Sequence, residues 1–156
     1  MAKTTTNPFT QSIKSPACVL MRSTGAIAIT SADNAAPVVT AGLVQLTVAG
    51  SEGSIVKSIR VCSTDASVQN LQLWYEPSGG GKYLLGTAMI AAIAGNNGST
   101  ASVDVLANVS PLAGFPFDQM SKGIIMLEPL AKLYVGTIAQ IGAGKYIHVT
   151  ASQEDF

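Results

Sequence analysis

Residues 68–90 read VQNLQLWYEPSGGGKYLLGTAMI, and their pattern decides the fold. Leu71, Leu73 and Tyr75 share one side of an extended chain, and Gln72, Trp74 and Glu76 share the other. A period of two is that of a β-strand. PSGGGK, with three consecutive glycines, then reverses the chain, and YLLGTAMIAAI returns as the second strand of a hairpin. Gly86–Ala94, rich in Ala, Met and Ile, is the main helix candidate. Its marginal length and its place after a glycine turn favour a strand.

The same alternation runs outward in both directions. In GLVQLTVAG, Val44, Leu46 and Val48 alternate with Gln45 and Thr47, the mark of a half-buried strand. In SIVKSIRVCS, Ile59 and Val61 face in and Arg60 out, but the phase slips between Val56 and Lys57, which predicts a β-bulge there. ASVDVLANV sets Val103 and Val105 against Asp104. IIML, AKLYVGTIAQI and KYIHVTA are separated only by short EP and GAG breaks, which predicts a meander. Nine or ten short strands, with turns about every ten residues, predict an all-β antiparallel sandwich or barrel. Residues 1–16, rich in Thr, Asn, Ser and Pro, read as an extended or poorly ordered arm before a single domain over 17–156.

Composition excludes several functions. Charged residues make up 12% of the 156, against about 25% in an average soluble protein. Nine Lys and Arg balance nine Asp and Glu, so no basic footprint for nucleic acid or an anionic membrane exists. So little charge suits a surface covered by other subunits, because interface cores are depleted in charge. The longest nearly uncharged apolar run, Tyr83–Gly95, is too short for a membrane span, which needs about 20 residues. Cys18 and Cys62 have no metal-ligand spacing and read as buried free thiols.

No motif carries chemistry. His148 is the single histidine, which rules out histidine-rich zinc sites, and no serine sits in a G-x-S-x-G elbow. GAGK (142–145) resembles the end of a phosphate-binding loop, but Ala139 stands where that motif needs glycine and Tyr146 where it needs Ser or Thr. The acids Asp33, Glu52, Asp65, Glu76, Asp104, Asp118 and Glu128 are scattered singly. In KYIHVTASQEDF (145–156), Tyr146, His148 and Thr150 take one face and Ile147, Val149 and Ala151 the other. Along an extended strand Glu154 lies on the order of 20 Å from His148, too far to share a metal or a proton. The tail then reads as a closing strand with an acidic, Phe-ended surface contact, where His148 lends pH sensitivity. No catalytic residue, cofactor or metal is expected. The candidate binding surface is aromatic: Trp74 and Tyr75, Phe115 and Phe117 flanking Pro116, and His148. Trp74 is either an exposed sugar-stacking platform or a ring covered by a second sheet or subunit.

LWYEPSGGGKYLLGTAMI, followed by FPFDQMSKGIIMLEPLAKLYVGTIA and the terminal IHVTASQEDF, resembles small structural proteins of tailed-bacteriophage virions. The resemblance runs from about Leu71 to Phe156 and rests on structural rather than chemical motifs. It implies a β-sandwich, jelly-roll in form, acting without catalysis as a capsid decoration or cement subunit of the virion. Its implied partners are the major capsid protein or other virion proteins and further copies of itself, a trimer being favoured. The alternative is a tail or fibre component with a carbohydrate- or receptor-binding sandwich.

Overall fold

A computed structural model describes residues 12–17, 28–29, 43–107 and 123–156, the first two segments by their backbone alone. Its ten strands, with no helix among the described residues, are β1 (Ser12–Ala17), β2 (Ala28–Ile29), β3 (Val44–Val48), β4 (Ser54–Ser63), β5 (Gln69–Glu76), β6 (Tyr83–Ile90), β7 (Val103–Asp104), β8 (Ile125–Leu127), β9 (Lys132–Thr137) and β10 (Ile147–Asp155). They form two antiparallel sheets. The first is ordered β1-β10-β4-β7, with β2 also on β10 and β8 also on β4; the second is ordered β3-β9-β5-β6.

In the first sheet, β1 pairs with residues 151–155 of β10 and β2 with residues 147–148. Because β4 occupies the opposite side of β10 along its length, β1 and β2 lie end to end on one edge. By the same reasoning β8 and β7 share the other edge, on residues 54–56 and 60–61 of β4. Each sheet is therefore four strands wide.

Period-two alternation builds the core between the sheets. Val56, Ile59 and Val61 of β4 and Ile147, Val149 and Ala151 of β10 meet Leu71 and Leu73 of β5, Leu133 and Val135 of β9, and Ile90 of β6 in one buried cluster. Burying each such Leu, Ile or Val contributes about 1.5–3 kcal/mol.

In β3, β4 and β6 three bulges adjust the pattern, and the β1–β10 pairing shifts register as well, between Lys14 and Ala17. Ser152 pairs with Ser58 but Gln153 with Val56, so Lys57 is the extra residue the sequence predicts. It lets Val56 and Ile59, three apart, both face the core. On β6, Leu73 pairs with Gly86 and Trp74 with Leu84, so Leu85 is extra. On β3, Gln45 pairs with Tyr134 and Thr47 with Leu133, so Leu46 is extra. This bulge corrects the simple alternation expected there: Leu46 and Thr47 are both buried.

Thr47 is satisfied by a polar tie between the sheets. Its hydroxyl donates to Gln153 Oε1 at 2.6 Å, and Gln153 Nε2 donates to the Val48 carbonyl at 2.9 Å and to Asp155 Oδ1 at 2.7 Å. Ser54 Oγ donates to the same Asp155 oxygen at 2.5 Å and accepts from Gly50 N–H. The expected surface tail is thus corrected in part. β10 runs on through Asp155, which is buried, and Glu154 faces outward to Lys57 at 2.5 Å.

The expected meander does not form. β8, β9 and β10 alternate between the sheets, and each finds its partners far away in sequence. The glycine-turn hairpin does form: Gly80 and Gly81 take φ of 87° and 84°, a region open to glycine, and Gly80 N–H donates to the Pro77 carbonyl. β7 is shorter than the expected strand, because Asp104 Oδ1 accepts the Leu106 N–H and turns the chain. The arm boundary expected at residue 16 falls within β1, and residues 1–11 lie outside the described residues.

Candidate functional site

Among the described residues, the aromatic candidates Trp74, Tyr75 and His148 do not share one surface. Trp74 projects from the outer side of β5, away from Leu71 and Leu73, yet it is only 8% exposed in the single chain. Its own chain covers it, its indole N–H donates to Gln72 Oε1 at 3.3 Å, and no ring face is left for a sugar to stack on. Tyr75 turns the other way and packs half-buried against the core. Burial, then the charge of Glu128, raises its hydroxyl pKa. His148 lies half-buried on the outer side of the first sheet, on the far side of the sandwich from Trp74. Its ring centroid is 6.1 Å from that of Tyr146, and burial lowers its pKa below 6.5. Phe115, Phe117 and Cys18 lie outside the described residues. Cys62 is a free thiol, half-buried rather than fully buried; Gly95 folds over it so closely that a Cβ there would lie 2.7 Å from the sulfur.

Beside Trp74 the outer side of the second sheet carries an ion cluster that alternation alone does not reveal. Glu76 pairs across the ladder with Lys132. Its carboxylate takes Lys132 Nζ at 2.6 Å and Lys82 Nζ at 2.8 Å. Lys82 Nζ also sits 4.7 Å from the centroid of Tyr134, in cation–π range. Lys132 first and Lys82 second hold the Glu76 carboxyl down at about 2. Both lysines share the one carboxylate, so the cluster braces the sheet and keeps a net positive charge.

Asp65 is a further acid with a built environment. It is buried, and its carboxylate accepts the backbone N–H of Gly142 at 2.9 Å and of Ser67 at 3.0 Å, and Gln69 Nε2 at 3.0 Å. The Gly142 bond is the leading cause of its lowered pKa. This contact also decides the GAGK segment: a carboxylate of the protein already occupies the amide a phosphate would need, and Lys145 N–H closes a turn onto the Gly142 carbonyl. Among the described residues no three His, Cys, Asp or Glu side chains gather as a metal site, and no helix is long and apolar enough to cross a membrane.

What the surface does present is apolar. Tyr83, Leu84 and Met89 of β6 are 60%, 48% and 68% exposed on one sheet edge. Met126 of β8 is exposed on an edge of the other sheet, and Leu130 follows in the turn after it. Glu128–Ala131 is a turn closed by Ala131 N–H on the Glu128 carbonyl, with Pro129 second and Leu130 third at φ 62°. That third position demands the left-handed region and favours Gly or Asn. An exposed leucine there costs about 1–2 kcal/mol of backbone energy. Aromatic spacing pointed to Trp74. The feature that locates Tyr83, Leu84 and Met89 in sequence is the absence of any charge between Lys82 and Asp104.

Compared with known proteins, the chain matches no protein-family model, and no curated protein is similar to it.

Proposed function

We propose that this protein is a non-enzymatic structural subunit of a bacteriophage virion, a capsid-associated decoration or cement protein that acts through subunit contacts as a trimer. The observation that carries an interface role is the exposed apolar surface on β6 and around Leu130, in a chain with so little charge. Isolated monomers blunt their sheet edges with charge or proline. β6 has neither, though it does have the bulge at Leu85. The assignment to a virion rests on the sequence resemblance.

Strand order supports a jelly-roll reading. When the two end-to-end pairs count as single positions, the eight positions in chain order are β1/β2, β3, β4, β5, β6, β7/β8, β9 and β10. First pairs with eighth, second with seventh, third with sixth and fourth with fifth. That is one long hairpin rolled up into two sheets, an architecture common among capsid and lectin domains.

The test is Leu84→Lys with Met89→Lys. Both side chains are exposed, so stability should change by no more than about 0.5 kcal/mol. Light scattering should show the trimer reduced to a monomer, and the variant should fail to enter particles. Quantitative mass spectrometry of purified virions should find the wild-type chain in hundreds of copies, on the order expected for a lattice that repeats a closed symmetric unit. A handful of copies would place it in the tail, and a glycan-array signal would favour a receptor-binding fibre.

A further inference from the structure

Asn97–Gly98 is the only Asn-Gly pair in the chain. It caps the loop between β6 and β7, where residues 95–99 are exposed and Gly95 N–H pinches the loop shut on the Thr100 carbonyl at 2.7 Å. Asn97 Oδ1 accepts two backbone N–H groups, from Ser99 at 3.0 Å and from Thr100 at 2.9 Å. Gly98 sits at φ 73°, and a Cβ built on it would have no heavy atom within 4 Å. Its own N–H donates to no acceptor among the described residues.

These are the parts of an intramolecular acyl-transfer site. We infer that Asn97 is a self-modification site, at which the loop promotes loss of the side-chain amide through a succinimide. The Gly98 nitrogen, exposed and free to give its proton to solvent base, attacks Asn97 Cγ. Negative charge develops on Oδ1, the atom held by the Ser99 and Thr100 amides at oxyanion-hole distance. Collapse breaks the Cγ–Nδ2 bond, and the nitrogen takes a proton from water and leaves as ammonia. A water molecule then opens the five-membered ring at either carbonyl, giving aspartate or isoaspartate. The net change is amide plus water to acid plus ammonia, with no oxidant or reductant.

The product places a carboxylate in the middle of the uncharged stretch between Lys82 and Asp104. As aspartate it keeps both N–H donors. As isoaspartate it adds a methylene to the backbone and loosens the pinch between Gly95 and Thr100.

The experiment incubates the full chain, folded and in parallel unfolded in urea, in the same mildly alkaline buffer. Peptide mass mapping follows the amide-to-acid mass gain at residues 97–98, and isoaspartyl methyltransferase labelling identifies the rearranged product. Two preset donors should make the folded chain react faster by about tenfold, well below what one such donor supplies in a dry active site. Asn96→Gln should leave that rate unchanged, whereas Asn97→Asp should show no further mass gain. A folded chain that reacts no faster than the unfolded one would overturn the assignment, because the pair would then be a sequence liability that the loop does not promote.

Discussion

Leu130 and Asp65 show two opposite ways in which a single residue departs from its ordinary state. Leu130 bears a left-handed backbone with over half its surface in solvent, so its side chain offsets little of the cost, although its N–H donates to the Gly50 carbonyl. Leu130→Asn, which suits that turn position, should raise stability by about 1 kcal/mol, read as a higher urea midpoint with unchanged slope. If the residue serves an interface, the same variant should assemble less well. Asp65 is depressed because folding gives its carboxylate backbone donors. The sign follows directly: its contribution is complete above the ordinary value of 3.8 and is lost as pH falls through the lower folded value. Asp65→Ala should cost about 2 kcal/mol at neutral pH and flatten the acid limb of a stability–pH curve. His148 shifts the same way for another reason: burial disfavours its cation. Stability should be full above 6.5 and decline gently as pH falls below it, and His148→Gln should remove that decline.

At the scale of strands, alternation made most elements legible. The Lys57 bulge was readable because Val56 and Ile59 are both apolar, which breaks the period in plain view. The β3 bulge was not, because Thr47 is polar and its inward turn depends on Gln153, a partner 106 residues away. The polar tie gives that partnership a measurable size. Gln153→Ala would strand the Thr47 hydroxyl and the Val48 carbonyl in a dry interior, at a cost of about 3 kcal/mol in urea unfolding. Deleting Lys57 should cost less than that, because it takes out only the extra residue: Val56 and Ser58 keep their partners Gln153 and Ser152, and Val56 and Ile59 still share the core face. The two readings of Trp74 stayed open in the sequence for a related reason. Alternation says which side of a strand Trp74 takes, but not whether the chain returns to cover that side.

For the molecule as a whole, sequence gave the class and number of strands but not their order. Short breaks between β8, β9 and β10 suggest neighbours, whereas each crosses to the opposite sheet. Local turn chemistry cannot encode a partner that lies across the core. The position of β10 has a kinetic corollary. It is an interior strand of the first sheet, with Ser12 opposite Asp155 on one side and β4 on the other. Nearly all its contacts therefore require closing very long loops before any stabilisation is returned. Refolding should be slow, in the range of milliseconds to seconds typical of such topologies. Until residues 147–155 insert, β4 and β1 present raw hydrogen-bonding edges to whatever strand arrives first. A second copy's β10 has the same sequence as the proper one, so refolding at high concentration should yield strand-exchanged oligomers that dilution suppresses.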